Sequence, residues 1–493
     1  MKNPRIRLGA AIVVLAASNL LVSTYLGLGD GEALYYCYGL HPSLSYLDHP
    51  PLIGWLSFLA IWVGGPEVLA VRTVSLVMTA LSLVFTYRLT SDLFGSSAAG
   101  WSVLLLASAP VFSVGMVAVT PDAPLAVLWP LFTWQLHRAL ADKRTSPWSR
   151  IGRPVLLGLL LGLAFLAKYT GACLVITALI ATSSHANRVW LRRPGFWLGA
   201  LVTMAVASPV IVWNVNHEWV GLFHRLVWTQ EDAGLGLRNA GALIGGQLLY
   251  VGPLTLPLLV WAAVYFWKNR SDHPQSRVLL AASFPALCAT YLLVLWSKVA
   301  EPHWPAAGYL PLFAAAGGLI VKTERRAKML ARVAIGFGLV GLVTLHIVVL
   351  TPLVPMLAPK DNYYPEYDLA NELRGWPEVA DTIRAINPNN RQVLAAFYTQ
   401  CSQLEFVLSR PDDPEVRCVS PEVDDFDIWY GDFVLPDQGA LFVTDNRFNH
   451  DPEKLIPGAK ANGPPINLEI TRGGRQVRQF RIFSLKRSDW VSL

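Results

Sequence analysis

Residues 154–184 read PVLLGLLLGLAFLAKYTGACLVITALIATSS. Their only charge is Lys168, followed by Tyr169, Thr170 and Gly171. A membrane helix needs about 20 apolar residues, so this run is too long for one upright span. Its polar interruption divides it into two arms of about 14 residues. Each reaches about 20 Å at 1.5 Å per residue, against a hydrocarbon core of about 30 Å. The stretch therefore reads as a hairpin of two short helices with Lys168 at its tip. A lone snorkelling lysine is the plainer alternative. Its place between two short apolar arms favours a cation at the floor of an outward-facing cavity.

Working outward, apolar runs of spanning length fall near 72–91, 97–118, 122–138, 195–213, 241–267, 278–297, 304–321 and 330–353. Leu8 to Leu28, after Lys2, Arg5 and Arg7, is longer than a signal-peptide core of about 7–15 residues and reads as a retained first span. The segment 52–64 reads as lying at the interface. With the hairpin counted as two, about eleven crossings result. The 493 residues are 53% hydrophobic and only 15% charged, with a mean hydropathy of +0.40. A soluble globular chain carries about one quarter charged residues. A cytosolic enzyme, a disordered chain and a nucleic-acid binder are disfavoured.

The charge is unevenly spread. Residues 1–357 hold 25 Lys and Arg against 13 Asp and Glu; residues 358–493 hold 15 against 21. Two parts follow: a membrane domain over 1–357 and a soluble α/β domain over 358–493. With a cytoplasmic N-terminus, 20 of the 25 cations in the first part fall in cytoplasmic segments, as the positive-inside rule requires. That places the C-terminal domain on the extracytoplasmic (periplasmic) side of a multi-pass inner-membrane protein. Within it, Trp376 to Ile386 and Thr399 to Leu408 read as helices. Gln392 to Phe397, Gly439 to Thr444 and Val477 to Leu485 read as strands. Cys37, Cys173 and Cys288 read as small core residues. Cys401 and Cys418 are a possible disulfide if this face is oxidising.

Ionisable groups at membrane depth are functional candidates, and this layout gathers them on one face. After the first span come Asp30 and Glu32, the aromatic run Tyr35, Tyr36 and Tyr38 with interfacial character, and Asp48-His49-Pro50-Pro51. Asp122 follows in the short loop Thr120-Pro121. Lys168 and Tyr169 come from the hairpin, and Glu218 and Arg225 from the next outer segment. Lys298, Glu301 and His303 complete the set. Plainer readings exist for each. Asp30 and Asp122 fit helix N-caps, worth about 1 kcal/mol, Asp48-His49 fits a turn, and Glu301-Pro302-His303 fits a loop. The convergence of acids, cations and aromatics favours chemistry. A carboxylate takes a proton from an acceptor hydroxyl, cations neutralise a phosphate leaving group, and aromatic faces suit a sugar. No P-loop, HExxH or CxxC pattern is present. No residue set demands a cofactor or metal, though a divalent ion is not excluded.

At these residues the chain resembles the bacterial protein-mannosyltransferase-like membrane glycosyltransferases, related to the lipid A aminoarabinose transferase. The resemblance rests on Glu32-Ala33-Leu34-Tyr35-Tyr36, Ser45-Tyr46-Leu47-Asp48-His49-Pro50-Pro51-Leu52, Thr120-Pro121-Asp122-Ala123-Pro124-Leu125, Leu163-Ala164-Phe165-Leu166-Ala167-Lys168-Tyr169-Thr170-Gly171 and Pro302-His303-Trp304-Pro305. It covers most of the membrane part. It implies the GT-C fold with an outer α/β domain, a donor sugar on a polyprenyl phosphate, and inversion by a single displacement. The acceptor it implies is outside the cytoplasm: lipid A or lipopolysaccharide core, another glycan, or a protein. It also implies an Asp-Glu pair in the first outer loop, with the Asp as catalytic base. Counted back from Asp48, that Asp falls on Gly31 and the Glu on Glu32, with Asp30 one residue early. Asp30, Glu32 and Asp48 all stay open as the catalytic carboxylate, and an acceptor already ionised needs no base. In the implied mechanism Lys168 holds the phosphate, helped by Arg225 or Lys298, while Asp48, His49 and Asp122 hold the loop and sugar hydroxyls. The rival is a transporter or flippase, which predicts related halves; no half-to-half similarity is apparent.

Overall fold

The computed structural model describes residues 3–142, 146–183, 188–230, 233–237, 239–297, 301–323, 325–359 and 363–488. The helices of the apolar part are α1 (Pro4–Tyr25), α2 (Asp30–Leu40), α3 (Leu52–Gly64), α4 (Val68–Phe94), α5 (Ser96–Ser108), α6 (Pro110–Ser113), α7 (Asp122–Ala141) and α8 (Arg153–Ala167). They continue with α9 (Cys173–Ser183), α10 (Pro194–Asn216), α11 (Val220–Leu226), α12 (Ala240–Tyr250), α13 (Thr255–Lys268), α14 (Arg277–Trp296), α15 (Ala306–Lys322) and α16 (Arg325–Leu350). Among the described residues six helices have the length and composition to cross a membrane, or seven if the bent pair α12–α13 forms one span. The protein is a multi-pass membrane protein.

The chain divides into two compact units. The first comprises Met1–Leu20, Ser43–Ile53 and Thr73–Val343; the second comprises Leu21–Pro42, Gly54–Arg72 and Thr344–Leu493.

In the first unit, glycines set the helix packing. A Cβ on Gly158 of α8 would lie 2.0 Å from the Gly199 carbonyl oxygen of α10, and one on Gly199 would lie 2.5 Å from the Pro154 oxygen. Gly158 with Gly162, and Gly195 with Gly199, are spaced as the small-xxx-small pairs that let membrane helices approach closely. The Thr203 hydroxyl crosses the same contact to donate to the Gly158 carbonyl at 3.0 Å.

Three expected spans depart from the sequence reading. The run 97–118 is not one helix: α5 ends at Ser108, Pro110 begins the single turn of α6, and 114–121 is irregular. Proline supplies no N–H to continue the ladder. The run 241–267 is bent by 102° between α12 and α13, where Gly252 takes a left-handed φ of +103° ahead of Pro253. The chain does break at Lys168 as expected, but the first arm is longer. A π-helical turn, Trp148–Gly152, extends α8 to a 20-residue apolar helix, about 30 Å long, while α9 has only 11 residues.

In the second unit the remaining helices are α17 (Leu353–Leu357), α18 (Leu369–Glu372), α19 (Trp376–Ile386), α20 (Tyr398–Val407), α21 (Asp425–Tyr430) and α22 (Pro452–Leu455). A mixed sheet contains β1 (Val393–Ala395), β2 (Val416–Cys418), β3 (Ala440–Asp445), β4 (Ala459–Ala461), β5 (Ile466–Arg472) and β6 (Arg475–Arg487), in the order β2-β1-β3-β6-β4 with β5 also on β6. The pairs β1–β2 and β1–β3 are parallel; β6 runs antiparallel to β3, β4 and β5. Gly473 and Gly474, with φ of +60° and +77°, close the β5–β6 hairpin, as a two-residue turn with positive φ requires. Leu394, Phe442 and Leu485 pack in its core. Cys401 and Cys418 form a disulfide joining α20 to β2, their Cα atoms 5.6 Å apart. Cys37 and Cys173 are buried as expected, whereas Cys288 is exposed.

Candidate active site

In the first unit, the helix break at Ala167 leaves Lys168 in extended backbone, and Gly171 permits the following tight turn. A Cβ there would meet the Ala164 carbonyl oxygen at 2.1 Å. Lys168 Nζ donates to both carboxylate oxygens of Asp122, at 2.9 and 2.8 Å. Asp122 is the first residue of α7, where a negative charge also suits the helix dipole. His303 Nε2 lies 3.7 Å from the same carboxylate, and its Nδ1 lies 3.9 Å from Glu301. Burial holds the His303 imidazole below its ordinary pKa. Tyr169 packs its ring edge-on against Phe165.

A second group sits at the start of α3. Arg225 Nε and Nη2 donate to the Asp48 carbonyl at 3.0 and 2.8 Å, and Nη2 lies 3.1 Å from its carboxylate. His224 Nε2 contacts Asp48 Oδ1 at 3.0 Å. Although burial opposes it, the His224 hydrogen bond and the Arg225 charge hold the Asp48 carboxyl well below the usual range. His49 lies within electrostatic reach of both groups. Burial, then Arg225 and Lys168, push its imidazole down to about 3, so it is neutral at physiological pH. The turn that delivers α11 is strained: Glu218 and Trp219 take left-handed φ values of +55° and +63°. Such values are uncommon for residues with a Cβ. The Trp219 N–H donates to the Asn214 carbonyl at 2.7 Å, and Asn214 Oδ1 accepts from Leu222 N–H at 3.3 Å. Glu218 itself is exposed on this turn, apart from these contacts. Lys298 lies outside the described residues.

The first-loop acids belong to the second unit. Glu32 caps its own helix by accepting from Gly29 N–H at 2.9 Å. It also takes a bidentate pair from Arg72: Nε to Oε1 at 2.9 Å and Nη2 to Oε2 at 2.6 Å. Arg72 and Glu32 are 2% and 5% exposed, and Arg72 further donates to the Leu26 and Gly27 carbonyls. This buried lock engages both Glu32 carboxylate oxygens and favours a structural role over a proton-accepting one for this candidate. Asp30 is more open but engaged. Arg447 Nη1 donates to Oδ2 at 3.0 Å and Gln403 Nε2 to Oδ1 at 3.1 Å. Its own N–H donates to Glu372 at 2.8 Å. The aromatic run is helical, but not interfacial in character. Tyr36 is fully buried edge-on to Phe406, and buried Tyr38 donates to Asp425 at 2.8 Å. Tyr36 is thus core rather than a sugar-stacking face, while Tyr35 stays half-buried beside Tyr38. Sequence reasoning missed His224, Arg72, Arg447 and Glu372; only His224, adjacent to Arg225, carried a local signal.

Residues 48–213, which hold Asp48, His49, Asp122 and Lys168, match the family described as dolichyl-phosphate-mannose-protein mannosyltransferase. A solved structure of ArnT from Cupriavidus metallidurans bound to undecaprenyl phosphate superposes with a TM-score of 0.64 over 97% of each chain, at 16% identity. The fold is GT-C. The family resemblance drawn from the sequence is borne out. Among curated relatives, a lipid A galacturonosyltransferase of Rhizobium johnstonii is 24% identical over 288 residues, covering 57% of this chain and 58% of that protein. An undecaprenyl phosphate-alpha-4-amino-4-deoxy-L-arabinose arabinosyl transferase of Yersinia enterocolitica is 31% identical over 251 residues, covering 48% and 44%. The chain thus spans about half the length of these two relatives.

Proposed function

We propose that the protein is an inverting glycosyltransferase. It moves a monosaccharide from a polyprenyl-phosphate donor to an extracytoplasmic acceptor, with lipid A or lipopolysaccharide core as the favoured class. The observation that carries this reading is the partly exposed cluster of Lys168, Asp122 and His303 at a helix break, with neutral His49 within electrostatic reach of it and of the Asp48–Arg225 pair. A phosphate arriving at Lys168 exchanges one oxyanion partner, Asp122, for another. Lys168 and Arg225 neutralise the charge that builds on the leaving phosphate. The acceptor oxygen attacks the sugar C1 as the C1–O bond to phosphate breaks, and that electron pair leaves with the phosphate. Where the acceptor is a hydroxyl, its proton passes to a carboxylate. Where the acceptor is a phosphate, no proton moves.

The relatives named for lipid A and undecaprenyl-phosphate chemistry support the donor and acceptor classes. The disulfide in residues 358–493 supports an oxidising side for that domain, hence a periplasmic face and a cytoplasmic N-terminus in a bacterial inner membrane. The test is reconstitution in nanodiscs with undecaprenyl phosphate carrying aminoarabinose or galacturonic acid, and lipid A as acceptor. Mass spectrometry should show lipid A gaining one sugar, and that product should vanish in Lys168→Ala. No product with either donor, together with no binding of undecaprenyl phosphate, overturns the proposal.

A further inference from the structure

Between α6 and α7 the chain leaves helical geometry at Val114 and regains it only at Asp122. In a lipid environment the backbone groups of such a segment must find partners inside the protein, because no water is there to serve them. Three side chains do this for its carbonyls. Ser75 Oγ donates to the Val117 carbonyl at 2.7 Å, and Asn19 Nδ2 donates to the same carbonyl at 3.4 Å and to Ser75 Oγ at 3.2 Å. Thr79 Oγ1 donates to the Met116 carbonyl at 3.3 Å. Asn19 and Ser75 are fully buried. Asn19 stands six residues before the end of α1, about 9 Å along the helix axis. That is a costly depth for an amide with no structural task.

Beside these hydrogen bonds the segment borders a small crevice lined by Leu15, Leu76, Phe112 and Met116 together with Asn19 and Thr79. Apolar packing is therefore incomplete there, and the hydrogen bonds fix where the segment runs. Five residues beyond Val117 it delivers Asp122, whose carboxylate holds Lys168 through two hydrogen bonds. We propose that Asn19 and Ser75 are positioning residues for the donor-phosphate site: they set the path of 114–121, and so the place of Asp122 and the Lys168 ammonium. This rests on Lys168 binding the donor phosphate. Neither residue touches the donor.

The test is binding of undecaprenyl phosphate to the purified full chain in nanodiscs, with unfolding midpoints recorded for every variant. Asn19→Ala and Ser75→Ala should each weaken binding roughly tenfold, the effect of one lost buried hydrogen bond. Turnover at saturating donor should fall as well, because Lys168 also meets the charge that builds on the leaving phosphate. Ser75→Thr, which keeps the hydroxyl, should restore binding. In a Lys168→Ala background Asn19→Ala should have no further effect, since coupled residues are non-additive; a merely structural role would add in full and lower the midpoint alike. Normal binding in both Asn19→Ala and Ser75→Ala, with loss in Lys168→Ala, overturns this inference alone. Full additivity also overturns it. Normal binding in Lys168→Ala overturns the phosphate reading and this inference with it.

Discussion

Replacing Glu32 by Gln separates a structural acid from a catalytic one. Glu32 and Arg72 are 5% and 2% exposed, and the guanidinium makes two hydrogen bonds to the carboxylate and two to the Leu26 and Gly27 carbonyls. Removing one partner of a buried pair costs about 3–5 kcal/mol, because the other charge is left uncompensated. The amide of the introduced glutamine still accepts one hydrogen bond, so Glu32→Gln should fall near the lower figure. At roughly 2–4 °C per kcal/mol, the unfolding midpoint in nanodiscs should drop by about 10 °C. Arg72→Met leaves the buried Glu32 carboxylate without its guanidinium and should destabilise by a similar amount. The double variant Glu32→Gln/Arg72→Met should be more stable than the sum of the singles predicts, by on the order of 2 kcal/mol or more. Turnover below the melting temperature should survive in all three. Abolished turnover in Glu32→Gln with an unchanged midpoint would refute this reasoning and return Glu32 to the chemistry.

Lys168→Ala should abolish sugar transfer, by at least about 100-fold, while the chain stays folded by gel filtration; Lys168→Arg should retain part of it. Gly31→Asp should fold, because a Cβ there meets only Tyr35 Cε2 at 4.0 Å and an acid suits the first turn of α2. Higher turnover with a hydroxyl acceptor would show that a carboxylate at that register matters. Cys401→Ser should lower stability by about 3 kcal/mol, the loop-closure value for a separation of 17 residues, read as a midpoint shift that reducing agent reproduces in the parent. Burial and then Asp30 raise the Glu372 carboxyl. A raised folded pKa means a penalty absent below the unfolded value of about 4.3 and present above the folded one. Glu372→Gln should therefore stabilise the protein at pH 7–8, with the gain fading toward pH 4; an opposite pH trend would contradict the assignment.

Much of the candidate site's local geometry was legible because its sequence signals are local. A lysine that interrupts 31 apolar residues must end a helix or sit at its edge, and Lys168 does. A Thr-Pro-Asp turn before an apolar run must place the acid at the helix start, and Asp122 is there. Trp376 to Ile386 came out residue for residue because Pro377 marks its start and the apolar spacing marks its face. What failed depended on partners far along the chain. Nothing in Asp30-Gly31-Glu32 announces that Arg72 will bury against Glu32, or that Arg447, 417 residues later, will bind Asp30. The strands β2, β4 and β5 were missed too. The first two have three residues each, too short for a periodicity to read; β5 does alternate apolar and polar residues from Ile466 to Thr471, a signal the sequence reading passed over. The breaks at 109–121 and 251–254 were hidden because apolar composition continues across them while proline and glycine end the hydrogen-bond ladder.

The rule that an ionisable group at membrane depth marks function thus needs a second criterion. Two cation-to-carboxylate pairs among the described residues, Lys168–Asp122 and Arg72–Glu32, make the contrast, with closest contacts of 2.8 and 2.6 Å. In Arg72–Glu32 both partners are closed off, and the guanidinium also donates to the Leu26 and Gly27 backbone carbonyls. No ligand can compete for it without first unfolding the loop. In Lys168–Asp122 the two side chains keep 12% and 23% exposure, and His303 beside them keeps 39%. An arriving oxyanion can reach the Lys168 ammonium there and compete with the carboxylate for its charge-assisted hydrogen bonds. Residual exposure of a paired charge, rather than the charge itself, is what separates an accessible cation from a closed one. It is also the property that a single sequence does not display.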